Sequence, residues 1–203
     1  MCAEDVKNGR VEAVIFDLDG TLTEPYLDFD RIRVEMGLSV DSGPVWEAMA
    51  AMSGEQRSRA AAILDRHEQR AIRESKLNAG TRETLDAINA AGIPIGILTR
   101  NTCANAEAVC TKHGLKFDAV IGRDEGPVKP DAFGVLELCK KFCVEPAQTL
   151  VVGDYLYDLQ SARAAGAKAV LFKTHKNAEQ FCQWANYCIE KMPELLEIIE
   201  LNR

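Results

Sequence analysis

Apolar residues gather into short unbroken runs at Val14–Phe16, Ile93–Leu98, Leu150–Val152 and Ala169–Phe172, with a weaker run at Ala119–Ile121. They are continuous rather than alternating, as strands buried on both faces are. Between the later runs the pattern turns helical, over 103–113, 131–142 and 157–165. Pro130 is suited to a helix start, and Gly114 and Gly166 to helix stops. A last helix, 193–201, follows Pro193. Strand–helix–strand repetition predicts an α/β fold, a doubly wound, Rossmann-like parallel sheet with helices on both faces.

The rhythm breaks once. Between Thr23 and Ile93 no strand-like run occurs, and helical stretches near 29–37, 44–52 and 55–76 take its place, before a further helix over 81–91. A crossover between parallel strands needs only a dozen or so residues. The excess is therefore read as a small helical domain inserted after the first strand, at 24–78, within a core of 1–23 and 79–203.

Composition narrows the field without naming a chemistry. The chain of 203 residues is 47% hydrophobic and 27% charged, with a formal net charge of −7. That acidity argues against nucleic acid or an anionic membrane as the main partner. It leaves an anionic small molecule open, because a local cation can invert the field. The opening MCAEDVKNGR has no apolar stretch and reads as neither secretory signal nor transit peptide, and no apolar run is long enough to span a bilayer. The expectation is a soluble cytoplasmic protein, with nothing that sets an oligomeric state. The seven cysteines form no CxxC pair; Cys139 and Cys143 share a helix face but lack further ligands, and all are read as reduced thiols.

Chemistry concentrates where the strands end. In open parallel sheets ligands bind at the carboxyl ends of the strands. The first strand runs into Asp17-Leu18-Asp19-Gly20-Thr21, the second into Thr99-Arg100-Asn101, and the fourth into Gly153-Asp154 with Asp158 beyond; Lys129 precedes a helix in VKPD. Carboxylates are almost never fully buried unless paired, so this convergence implies either a surface turn or a bound cation.

These motifs, in this order and spacing, resemble those of the haloacid dehalogenase-like hydrolases, specifically their phosphatase branch with a helical cap, and the nearest label is phosphoglycolate-phosphatase-like. FDLDGTLT is similar to the first family motif, Thr99 of ILTRN to the second, Lys129 to the third, and GDYLYD to the fourth. The resemblance implies a Mg²⁺-dependent phosphatase acting through an aspartyl-phosphate on a small phosphorylated metabolite. By that resemblance Asp17 is the nucleophile and Asp19 the general acid/base. Thr99 and Lys129 bind the phosphoryl group, and Arg100 and Asn101, which follow Thr99, are further phosphate-binding candidates. Mg²⁺ takes Asp17 and Asp154 by their side chains and Asp19 by its carbonyl, and Asp158 holds its water shell.

Asp19 argues against a dehalogenase, in which the leaving halide needs no proton. A phosphonate-cleaving enzyme would need a cap lysine, and Lys76, near the hinge, is the one lysine between Thr23 and Ile93. A phosphomutase on the same core, and a silent binding module, remain as alternatives. Thr21 leans towards the phosphatase, and the intact set of carboxylates counts against the silent module. Arg31 and Arg33 are candidate anion contacts, or else part of a solvated helix face. His67, His113 and His175 read as structural or surface residues, and Gly92 and Gly96 form no dinucleotide motif.

Overall fold

The computed structural model describes residues 10–202; the N-terminal decapeptide read above, with Cys2, lies outside that range save for its last residue, as does Arg203. In chain order the elements are β1 (Ala13–Phe16), α1 (Phe29–Glu35), α2 (Val45–Ala50), α3 (Gly54–Glu74), α4 (Thr81–Ala90), β2 (Ile95–Leu98), α5 (Cys103–His113), β3 (Ala119–Ile121), α6 (Phe133–Phe142), β4 (Thr149–Gly153), α7 (Leu156–Ala165), β5 (Lys168–Phe172), α8 (Ala178–Phe181), β6 (Tyr187–Ile189) and α9 (Glu194–Leu201). Among the described residues no helix is long and apolar enough to cross a membrane.

The strands form one parallel sheet in the order β3-β2-β1-β4-β5-β6. Every residue of β1, β2 and β4 is buried, which is why their sequences are unbroken apolar runs. β2 begins at Ile95 rather than at Ile93. Pro94 has no N–H to give a ladder, though its carbonyl accepts from Val14 N at 3.1 Å. The chain's order reverses across the β1–β4 pair, the switch point at which α/β sheets open a crevice.

Helices flank the sheet. Val135, Leu138 and Cys139 of α6 and Leu159 and Ala162 of α7 pack with Ile15, Leu98, Val151 and Leu171 of the strands in one core. Gly114 and Gly166 end α5 and α7 in the left-handed region, φ 60° and 80°, where a side chain would be strained. α6 starts at Phe133, three residues past Pro130, because the Asp131 carboxylate accepts from Phe133 N and forms a turn first. β6 and α8 have no counterpart in the sequence-based reading. β6 is a three-residue edge strand with an exposed Cys188 at its centre, too short and too mixed to give a period.

The described residues divide into two compact units, 10–25 with 76–202, and Tyr26–Ser75. It leaves and re-enters the sheet unit through adjacent segments: Glu24 N donates to Lys76 O, Asn78 N donates to Leu22 O, and Thr23 bridges Leu77. The smaller unit is α1, α2 and α3 around its own core of Ile32, Val45, Met49, Ala60 and Leu64. Ser53 and Gln56 form a capping box that starts α3. Polar contacts also join α1 to α3: Glu35, which pairs within α1 with Arg31 at 3.0 Å, accepts from Arg66 of α3 at 2.5 Å, and its carboxylate lies 3.0 Å from His67 Nε2.

Those neighbours, His67 first and then Arg31, hold the Glu35 carboxyl at about 2, below its ordinary 4.5. A depressed carboxyl contributes stability that is present above its ordinary value and lost as pH falls towards the depressed one. Trp46 is the single tryptophan of the smaller unit, so in a Trp184→Phe background its fluorescence reports that unit. As pH falls from about 4.5 to about 2, urea unfolding followed by Trp46 is expected to lose more stability in that parent than in its Glu35→Gln derivative. Equal losses would show that Glu35 contributes nothing across the α1–α3 interface.

Candidate functional site

β1 delivers the first two carboxylates. Asp17 N donates to Val152 O at 2.9 Å, extending the β1–β4 pairing by one residue. The chain then turns sharply: Leu22 N and Thr23 N both donate to Leu18 O at 3.0 Å. Gly20 takes φ 94°, and an added Cβ would stand 2.6 Å from Asp154 Oδ2. Glycine is required there both by conformation and by the close approach of the β4 loop.

The turn is clamped by two residues that no motif signalled. The Asn78 side-chain amide donates to the carbonyls of Gly20 (3.1 Å), Thr21 (2.8 Å) and Thr23 (2.9 Å). The Thr174 hydroxyl donates to the Gly20 carbonyl at 2.8 Å. Both act on backbone oxygens, which are the same at every position, so the sequence holds no pattern to find them by. Thr21 lies inside the first motif, and its hydroxyl donates to Asp154 Oδ1 at 3.2 Å.

Lys129 is the centre of the arrangement. Its ammonium, 4% exposed, donates to Asp17 Oδ1 at 2.5 Å and to Asp158 Oδ1 at 2.6 Å. Asp158 uses its other oxygen to accept from Tyr155 N at 3.0 Å, so one carboxylate both caps α7 and pairs with the lysine. Glycine precedes Asp154 because a Cβ at Gly153 would overlap the Asp158 carboxyl.

The four expected loops thus meet at one end of the sheet. Thr99 is buried just beyond β2, with its N donating to Ile121 O and its hydroxyl accepting from Asn101 N at 3.0 Å. Asn101 is turned towards Asp19, its amide 3.4 Å from Asp19 Oδ2, while its carbonyl oxygen accepts from Thr102 N and the Asn105 amide. Thr102 caps α5. Arg100 donates to the Lys129 carbonyl at 3.2 Å and lies over the Tyr157 ring at 5.0 Å. His175 sits in an aromatic cluster with Tyr155 and Phe181.

Oxygens of Asp17, Asp154 and Asp158 lie within 4.8 Å of one another, and this is the one such cluster among the described residues. Cys139 is buried against the Thr149 hydroxyl and Cys143 is exposed, so the CKKFC pair forms no such group. Three buried carboxylates face a single ammonium. Burial, with the Asp158 and Asp154 charges against the pull of Lys129, raises the Asp17 carboxyl well above its usual range. Burial and the Asp158 charge push Asp154 up to about 7, despite the Thr21 hydroxyl. Burial alone would lower Lys129, but Asp158 and Asp17 outweigh it and hold the ammonium protonated. The cluster therefore has more negative charge than Lys129 offsets. Hard oxygen donors so placed fit a divalent cation of the Mg²⁺ type.

The chain is similar to known proteins. The family model described as haloacid dehalogenase-like hydrolase matches residues 37–172. N-acetylmuramic acid 6-phosphate phosphatase of Pseudomonas aeruginosa is 28% identical over 96% of this chain and 97% of its own. Phosphoglycolate phosphatase of Photobacterium profundum is 27% identical over 94% of this chain and 96% of its own. Among solved structures, a hydrolase from Pseudomonas syringae superposes with a TM-score of 0.80 at 20% identity, covering 94% of this chain and 98% of that one, a likeness of fold.

The Asn78 clamp is open to a direct test. Asn78→Ala removes the donor shared by three carbonyls, and is expected to cost about 1–3 kcal/mol in urea unfolding. A change indistinguishable from zero would show that the turn holds its shape without the amide.

Proposed function

The chain belongs to the haloacid dehalogenase-like hydrolases, and from that premise we propose that it is a Mg²⁺-dependent phosphatase acting on a small phosphorylated metabolite. The observation that carries this reading is the buried group of Asp17, Asp154 and Asp158 around the Lys129 ammonium, at the strand ends where α/β sheets bind ligands. Similarity to two phosphatases whose names specify small phosphorylated compounds supports the substrate class.

Phosphate-monoester hydrolysis is among the slowest uncatalysed reactions, and a carboxylate nucleophile divides it into two easier steps. Asp17 is the proposed nucleophile. Its carboxylate oxygen attacks phosphorus as the ester P–O bond breaks, leaving an aspartyl-phosphate and an alkoxide. Asp19 gives its proton to the alkoxide. As a carboxylate it then takes a proton from the water whose oxygen attacks phosphorus, releasing phosphate and restoring Asp17.

The Thr99 hydroxyl and the Lys129 ammonium hold the transferring oxygens. Arg100 and Asn101 are proposed to act one step back, since Arg100 holds the Lys129 carbonyl and Asn101 reaches the Asp19 carboxylate. Asp17, Asp154 and the Asp19 carbonyl would hold Mg²⁺, with Asp158 beside them. When bound, the ion supplies the positive charge that lets a carboxylate approach a phosphate dianion.

The test is phosphate release from a panel including phosphoglycolate, sugar phosphates and N-acetylmuramic acid 6-phosphate, with Mg²⁺ or with EDTA. Release is expected with Mg²⁺, and not with EDTA or in folded Asp17→Asn protein. Asp19→Asn is expected to lower kcat by about 10²–10⁴-fold with KM little changed. Turnover that survives Asp17→Asn would overturn the nucleophile, and an Asp19→Asn effect confined to KM would overturn the acid/base role.

A further inference from the structure

The helical unit is chemically unlike the sheet unit. Between Tyr26 and Ser75 there are seven arginines and no lysine. Arginine presents a planar fork of N–H donors that matches carboxylate and phosphate oxygens, stays charged at all working pH values and is weakly hydrated. Four of the seven collect at one place. Arg66, Arg70 and Arg73 follow an i, i+4, i+7 spacing on α3 and so share one face of that helix. Arg31 and Glu35, an i, i+4 pair on α1, meet them there. Together with His67 these residues line a cavity of about 280 Å³.

Charge and pre-orientation give the cavity a preference. Four guanidiniums line it against one carboxylate, in a chain whose net charge is −7. That carboxylate, Glu35, accepts from Arg31 and Arg66 and lies against His67. Arg70 is fixed from behind: Glu74 accepts from its Nε at 2.9 Å, the Tyr26 ring lies 5.9 Å from its guanidinium carbon, and the Tyr26 hydroxyl donates to Glu74 at 2.5 Å. A guanidinium already held in place loses less freedom when it takes a second acceptor. The side chains remain reachable, with Arg31, Arg66 and Arg70 between 54% and 65% exposed.

We propose that this cavity of the helical unit is a binding site for a small, multiply charged oxyanion, in which Glu35 is the internal counter-ion that the ligand's own oxyanion groups supplement. The site lies within the one unit and does not depend on the phosphatase reading. The two candidate anion contacts that the sequence suggested are sorted by the geometry: Arg31 belongs to the cavity, whereas Arg33 donates to the Gly43 carbonyl and pairs with Asp30.

The experiment uses the full chain in EDTA at fixed ionic strength, since exposed charges are screened by salt. Citrate, as a carboxylate probe, and pyrophosphate, as a phosphoryl probe, are titrated by calorimetry, and which binds more tightly identifies the oxyanion. Saturable binding is expected for at least one. Arg66→Gln and Arg73→Gln are each expected to weaken it about tenfold, the effect of one charge-assisted hydrogen bond. Glu35→Gln, which removes the competing carboxylate, is expected to tighten it; ordinary surface ion pairs would give no binding for it to tighten. Hydrogen–deuterium exchange with the bound probe should slow in α1 and α3 and stay unchanged around Thr99 and Lys129. If Arg66→Gln does not fold, Arg66→Lys takes its place and is expected to weaken binding by loss of the fork. No binding of either probe at millimolar concentration, equal affinity in the arginine variants, or protection confined to the sheet unit would each overturn the proposal.

Discussion

The candidate site depends on one ammonium that is almost fully buried. A buried charge is costly unless paired and hydrogen-bonded, and removing a partner leaves the other charge stranded. Lys129 meets that demand with Asp17, 112 positions away in the chain, and with Asp158, 29 positions away. The pairing therefore constrains three segments together: the end of β1, the loop before α6 and the first turn of α7. It explains why the polar loops converge although each is anchored to a different strand. It also leaves three carboxylates against one ammonium, and burial together with that crowding raises the carboxyls of Asp17 and Asp154. The same three carboxylates are grouped closely enough to hold a divalent cation.

The sheet makes this geometry available. Because β1 pairs with β2 on one side and β4 on the other, all three in parallel, their carboxyl ends lie side by side. The loops that follow can touch only where side chains are absent. Gly20 admits the Asp154 carboxylate, and Gly153 admits that of Asp158. The apolar runs that form the strands and the glycines that follow them are thus parts of one requirement. The strands bury themselves, and the loops between strand and helix bring carboxylates to within 4.8 Å of one another.

How much of this was legible follows from what kind of atom makes each contact. β1, β2, β4 and β5 are visible as apolar runs because both faces are covered. β6 is not, because an edge strand of three residues with an exposed cysteine at its centre gives neither a run nor an alternation. Asp17, Asp154, Asp158 and Lys129 could be read from the chain because the chemistry is in their side chains and their spacing is fixed by strand ends. Asn78 and Thr174 could not, since they hold carbonyl oxygens that every residue carries. Asp158 shows a third situation: the sequence marks it as a site carboxylate, and the structure gives it a second contact as well, one oxygen meeting Lys129 and the other capping α7.

The two units solve the problem of holding positive charge in opposite ways, and the choice of residue follows from exposure. In the sheet unit one compact lysine ammonium is buried between carboxylates, where a single point of charge fills a small space and its pairing keeps it protonated. In the helical unit the charge is spread over exposed arginines, which need no burial to remain charged and whose forks hold shape by bonding to Glu35, Glu74 and the face of Tyr26. Exposed pairs of that kind contribute little stability singly. Packing of Ile32, Val45, Met49, Ala60 and Leu64 already joins the three helices. Four arginines around one cavity are thus more than its architecture needs, and it is this excess, rather than any one ion pair, that points to an anion from outside the chain.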